Sequence, residues 1–276
     1  MYYPPNFDAK KAIELGQLVK QAYQRFENFK QGTPWTLQGP YTLVSEITYH
    51  TVLSFDPTDE NAGMTAIDKE MAALPVSFSV ESLLGKDVPM GFVALSKDKK
   101  QVFLIFRGTV SAREWLFDIN IKVQTYGQPH WGCATDGFLK IYNRCRGSFI
   151  DQLTALAPSN PQLYIAGHSL GGALTVLALP DVIRSTPFKK PILYNFGCPR
   201  VGDNDFVTAY NALPFQQTFR VVNTCDLVTS IPLPIQLPLI PSGNYSHVDT
   251  SVDFTTQKND LGLNHSMDTY IAALSR

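Results

Sequence analysis

Gly167-His168-Ser169-Leu170-Gly171-Gly172 decides how this chain is read. The apolar run Leu163-Tyr164-Ile165-Ala166 precedes it and predicts a buried strand. Ala173-Leu174-Thr175-Val176-Leu177-Ala178-Leu179 follows it, with the length and residue types of a buried helix. A chain that passes from strand to helix within a few residues turns sharply, and side chains beside the turn would collide. Glycines at 167 and 171 remove those collisions. Ser169 is then held at the tip, its hydroxyl exposed and a helix N-terminus behind it. This is the G-x-S-x-G nucleophile elbow in the strand-turn-helix setting that gives the motif its meaning.

Outward from the elbow, strands alternate with helices over about residues 100–225. Gly91–Ser96 and Gln101–Phe106 flank the polar turn Lys97-Asp98-Lys99-Lys100 and predict a hairpin that runs into Arg107-Gly108-Thr109. Residues 137–156 read as one helix. Ile192–Phe196 and Phe219–Asn223 read as buried strands, separated by a helix near Asp203–Leu213. Such alternation implies an α/β fold with a mostly parallel sheet and helices on both faces. Functional groups in these sheets gather at the carboxyl ends of strands. Thr109, Ser169 and Asp226 each follow a predicted strand, so all three can meet at one edge.

The remaining segments frame this unit. Residues 8–29 place Ala12, Leu15, Val19, Ala22, Tyr23 and Phe26 on one helical face, capped by Asp8 and ended by Gln31-Gly32-Thr33-Pro34, and read as scaffold. Tyr41–Thr51 reads as a strand, Ala66–Leu74 as a short helix, Asn244–Thr256 as β-rich and His265–Leu274 as a last helix. Without an internal repeat or linker, residues 1–276 are expected to form a single domain.

Composition narrows the function classes. Lys and Arg number 23 against 24 Asp and Glu, a net charge of −1, so no global field draws the chain to nucleic acid or an anionic membrane. No stretch reaches the ~20 apolar residues of a membrane span. Met1-Tyr2-Tyr3-Pro4-Pro5 lacks the features of a signal peptide, so the expectation is a cytoplasmic protein or one peripheral to a membrane, with a secreted protein whose leader has been removed as the alternative. The cysteines at 133, 145, 198 and 225 show no metal-binding spacing and are expected to be free thiols.

A serine hydroxyl needs a base to take its proton, and the base needs a partner that fixes its tautomer. Histidine suits the base role. His168 adjoins the serine and should point elsewhere, His50 lies in an early strand, and His130 sits in a loop. On hydrolases built around this elbow the order is serine, acid, histidine. That order favours Asp226 over Asp203, Asp249, Asp253 and Asp260, and leaves His247 and His265 as rivals. His265, where a polar loop meets the last helix, is the better placed; His247 reads as a mid-strand structural residue. The oxyanion of ester hydrolysis requires donors. Leu170 N–H is the natural first, and the Arg107-Gly108-Thr109 loop offers a second at Thr109. This chemistry calls for no metal and no cofactor.

Taken together and in order, Phe106-Arg107-Gly108-Thr109, the segment Trp115 to Asp118, the elbow, Phe196-Gly197-Cys198-Pro199-Arg200-Val201-Gly202 and Arg220-Val221-Val222-Asn223 before Asp226 resemble the class 3 lipases, α/β-hydrolases that include filamentous-fungal triacylglycerol lipases. The resemblance covers about residues 90–275. It implies Ser169 as nucleophile, Asp226 as acid, His265 as base, and Thr109 and Leu170 as oxyanion donors. It also implies a lid over about residues 111–121, with Trp115, Leu116 and Ile119 on its apolar face. The expected activity is hydrolysis of acyl esters of glycerolipids at a lipid or membrane surface. An acyltransferase with the same triad, or a non-catalytic lipid-binding relative, are the alternatives. Two departures touch the acyl pocket: Thr135 stands where many members carry histidine, and the prolines after Asp226 are displaced to 232 and 234. Leu233 and Leu237, in the Pro-rich stretch Ile231–Pro241, are expected to line the acyl groove.

Overall fold

A computed structural model describes residues 2–50, 87–109, 123–127, 131–213, 217–232, 244–248 and 250–276. Trp115, Leu116, Ile119, Leu233, Leu237, His130 and Asp249, with the helix expected at 66–74, lie outside the described residues.

Seven strands form the main sheet. These are β1 (Tyr41–His50), β2 (Asp87–Ser96), β3 (Gln101–Phe106), β6 (Gln162–His168), β7 (Ile192–Phe196), β9 (Gln217–Asn223) and β11 (Thr250–Phe254), in that spatial order. β1, β2 and β3 pair antiparallel, and every pairing from β3 to β11 is parallel. A smaller sheet joins β4 (Val123–Thr125), β5 (Cys133–Thr135), β8 (Gly202–Asp203) and β10 (Tyr245–Ser246).

The parallel strands are near-continuous apolar runs because both faces are covered. On one face lie α1 (Ala9–Gln31) and α7 (Met267–Leu274), burying Leu15, Val19 and Tyr270 with Phe103, Ile105 and Phe196. The other face carries α2 (Asp136–Arg146), α3 (Ile150–Leu156) and α4 (Leu170–Ser185), packed through Phe138, Leu153 and Leu174 against Leu104, Phe106 and Ile165. Burial of each such side chain contributes roughly 1.5–3 kcal/mol. α5 (Asn204–Asn211) and α6 (Leu261–His265) complete the described helices.

Register sets the site. Phe106 lies opposite Gly167, His168 opposite Phe196, and Phe196 opposite Val221, so the ends of β3, β6, β7 and β9 open at one edge. The sequence reading differs from the structure in the bounds of its helices and in the tail. The helix expected over 137–156 is two helices, broken at Gly147–Phe149, where Gly147 ends α2 and the Ser148 hydroxyl bonds the Cys145 carbonyl. α4 runs through Pro180 to Ser185 instead of ending near Leu179. The β-rich tail divides between both sheets, and His247 follows β10 rather than lying within a strand. All four cysteines are thiols outside any disulfide.

Candidate active site

Ser169 occupies the turn between β6 and α4 with φ 59° and ψ −127°, an unfavourable backbone for a non-glycine residue. The glycines around it make the turn feasible. A Cβ on Gly167 would fall 2.3 Å from the Gly171 carbonyl oxygen, and one on Gly171 would fall 2.5 Å from that of Arg107. Leu170 is the first residue of α4, where backbone N–H groups have no intrahelical partner. The hydroxyl expected at an exposed tip is fully buried instead. The loop after β3 packs directly on it: a Cβ on Gly108 would lie 2.7 Å from Ser169 Cβ.

Asp226 and His265, the expected acid and base, arrive from later in the chain. Asp226, just after β9, is 2% exposed, and His265, the last residue of α6, is 3% exposed. His265 Nδ1 lies 2.6 Å from Asp226 Oδ2. That oxygen also accepts from Tyr270 Oη at 2.6 Å, and Oδ1 accepts from Val228 N–H at 2.9 Å. With Asp226 accepting at Nδ1–H, His265 Nε2 carries the lone pair. Two asparagines bind the supporting loops together. Asn223 Nδ2 donates to the carbonyls of Asn264 and Thr256, and Asn264 Nδ2 donates to that of Cys225. Gly197, at φ +56°, leaves room for the pair: a Cβ there would sit 2.9 Å from His265 Cε1 and 3.0 Å from Asp226 Oδ2.

The rival residues are engaged elsewhere. His247 Nε2–H donates to the Thr229 carbonyl at 2.7 Å; burial first, then the charges of Arg220 and Arg200, pull its pKa down to about 3. Asp203 caps α5, Asp260 caps α6, and Asp253 accepts from Ser251. His168 turns away from the tip as expected: its ring meets Tyr23 Oη at 2.7 Å and the His265 carbonyl at 2.6 Å. Burial, then the neighbouring His265, hold its pKa well below the ordinary value. α1 is more than scaffold, because it brings Tyr23 to the site.

Three buried side-chain atoms at this edge make no hydrogen bond: Ser169 Oγ, His265 Nε2 and Thr109 Oγ1. Buried polar atoms are rarely left unpaired. Here they are a hydroxyl, an imidazole nitrogen with a free lone pair and a second hydroxyl, beside a helix N-terminus. Tyr23, Tyr270, Gly197, Asn223 and Asn264 also build this site, and sequence reasoning assigned none of them a role in it. Only the glycine carried a usable signal, standing at the end of a predicted strand.

A mostly parallel sheet with a nucleophile-elbow serine and a buried His–Asp pair at its carboxyl edge is the arrangement of the α/β-hydrolase fold. The profile of the family Lipase (class 3) matches residues 103–235 of this chain. The chain is similar to a secreted mono- and diacylglycerol lipase A of Penicillium cyclopium, 32% identical over 175 residues, 61% of this chain and 53% of the relative. Similarity extends to phospholipase A1-II 1 of Oryza sativa, 27% identical over 200 residues, 62% of this chain and 49% of that protein. The chain thus spans about half the length of the curated relatives it matches. Among solved structures, the Rhizomucor miehei lipase propeptide complex shares the fold, with a TM-score of 0.61 at 20% identity over 90% of this chain and 69% of that one. Among the described residues, no helix is long and apolar enough to cross a membrane.

Proposed function

We propose that this chain is a serine carboxylester hydrolase acting on acyl esters of glycerolipids. In this reading His265 Nε2 takes the proton of Ser169 Oγ as the oxygen attacks the ester carbonyl. Asp226 holds the imidazole in the required tautomer and stabilises the imidazolium that forms. The oxyanion accepts from Leu170 N–H and Thr109 N–H, with the Thr109 hydroxyl as a further donor. The imidazolium protonates the leaving alcohol, and His265 then activates the water that releases the acid from Ser169. The observation that carries this reading is the set of three unpaired buried atoms, Ser169 Oγ, His265 Nε2 and Thr109 Oγ1, at one strand edge.

The substrate class rests on the relatives, whose names give mono- and diacylglycerol lipase for one and phospholipase A1 for another. Both act on esters of glycerol. We read the whole chain as one domain that visits a lipid surface transiently. The proposal is tested with p-nitrophenyl esters from acetate to palmitate, and with emulsified diacylglycerol and phosphatidylcholine vesicles. Wild type should hydrolyse them and react with a fluorophosphonate at Ser169. Ser169→Ala should lower kcat by about 10⁴-fold or more with folding intact. A folded Ser169→Ala variant that keeps its turnover would remove the proposal.

A further inference from the structure

The two peptides that flank Gly108 are gripped from outside by side chains that the mechanism above does not use. Arg107 is wholly buried, its guanidinium 3.7 Å from the centre of the Phe26 ring. Nε donates to the Pro89 carbonyl at 2.6 Å and Nη1 to the Gly108 carbonyl at 2.8 Å. On the other side of Gly108, its N–H donates to Tyr23 Oη at 2.9 Å. The Tyr23 proton has one direction left. His168 Nε2 must carry hydrogen to bond the His265 carbonyl, so Nδ1 accepts from Tyr23. A single chain of donors therefore runs from Gly108 N–H through Tyr23 and His168 to the backbone of His265.

A cation in this setting costs stability. Burial lowers the Arg107 pKa to about 10, which still leaves it charged at neutral pH. Nη2 finds no hydrogen-bond partner. An apolar side chain of similar volume would fill the space without either cost. What the guanidinium does that an apolar group cannot is bond the Gly108 carbonyl. In a trans peptide the C=O and N–H of one plane point in opposite directions. The plane whose oxygen Arg107 holds is the one whose N–H belongs to Thr109. A charged donor on that oxygen fixes the plane, draws electron density from the nitrogen, and strengthens the N–H as a donor.

We propose that Arg107 and Tyr23 are positioning residues, Arg107 locking and polarising the Gly108–Thr109 peptide and Tyr23 anchoring the peptide before it, so that Thr109 N–H meets the oxyanion preorganised. This rests on the reading of Ser169 as nucleophile and Thr109 as oxyanion donor. Arg107→Met, Arg107→Lys and Tyr23→Phe are made in the full chain. Each is measured for melting temperature, for kcat and KM on soluble p-nitrophenyl butyrate, and for inhibition by phenylboronic acid, which forms an anionic tetrahedral adduct on an active serine. Arg107→Met should lose about 100-fold in kcat with KM changed less than about twofold, and its boronate Ki should rise by about the same factor. Lysine, which keeps the charge but not the fork, should recover about tenfold of that loss. Tyr23→Phe should lose about tenfold in kcat, again matched in Ki.

A folded Arg107→Met or Tyr23→Phe variant with kcat and Ki near wild type overturns the inference. So does a fall in kcat with an unchanged Ki, the mark of a merely structural role. Tyr23→Phe removes a single oxygen, so it decides the matter alone if Arg107→Met does not fold. Retained turnover in Ser169→Ala would sink the catalytic assignment itself. An inactive Ser169→Ala beside normal Arg107 and Tyr23 variants would overturn only this inference.

Discussion

Asp226→Asn exchanges one atom, and the bonding around that residue says what must follow. Oδ1 accepts from Val228 N–H at 2.9 Å, and Oδ2 accepts from His265 Nδ1–H and Tyr270 Oη, both at 2.6 Å. The Tyr270 hydroxyl is itself accepting from Asn223 N–H, so its proton is directed at Asp226. Every neighbour of the carboxylate is a donor, and an amide brings only one acceptor. Placing its NH₂ against Val228 N–H leaves two buried donors facing each other, at about 1–3 kcal/mol. Facing His265 and Tyr270 instead, the NH₂ drives the ring proton from Nδ1 to Nε2, which a neutral imidazole tolerates readily, and turns the rotatable Tyr270 O–H away so that its oxygen accepts. The second arrangement wins. Nε2 then bears hydrogen and cannot accept the proton of Ser169. The expected loss is about 10⁴-fold in kcat, or roughly 5.5 kcal/mol on the barrier, as in other serine triads. KM should hold, because nothing that binds substrate has moved. Initial rates on a soluble ester, with a thermal melt to confirm folding, measure it. A folded Asp226→Asn variant within about tenfold of wild-type kcat would refute the tautomer argument.

Gly197→Ala tests the space beneath the pair. A methyl there would lie 2.9 Å from His265 Cε1 at a backbone φ of +56°, so the imidazole must shift, and kcat should fall about 10- to 100-fold in a folded protein; an unchanged kcat would show that the pair tolerates displacement. Acid stability tests His247, whose pKa of about 3 lies below its ordinary value. The unfolded chain takes up a proton near pH 6.5 that the native residue refuses, so this group's contribution is complete above that pH and lost as pH falls toward 3, at up to about 1.4 kcal/mol per unit. His247→Gln, followed by urea unfolding between pH 7 and 4.5, should flatten the slope while leaving kcat nearly unchanged; an identical slope would count against buried neutral His247 as its source.

What was legible in the sequence is what local chemistry demands. An elbow requires strand, glycine, serine, glycine and helix within about twenty residues, and the backbone at Ser169 follows from that spacing alone. The pairing of Asp226 with His265 was legible because the proposed reaction restricts residue type and chain order. The supports were not recoverable, because their partners lie far away along the chain. Tyr23 meets His168 across 145 positions, Tyr270 meets Asp226 across 44, and Asn223 meets Asn264 across 41. Tyr23 and Phe26 were counted as apolar members of one helical face, which they are, and periodicity cannot show that the same tyrosine hydroxyl serves Gly108 and His168. Nor could it show that Ser169 is covered, because that depends on how closely the β3 loop approaches once β3 and β6 pair in register. The split of the expected 137–156 helix is a local event that a single glycine only half announces. The groups proposed to react are constrained by type and can be read one at a time. The groups that aim them are constrained only by contact, so they emerge once the sheet has set the register.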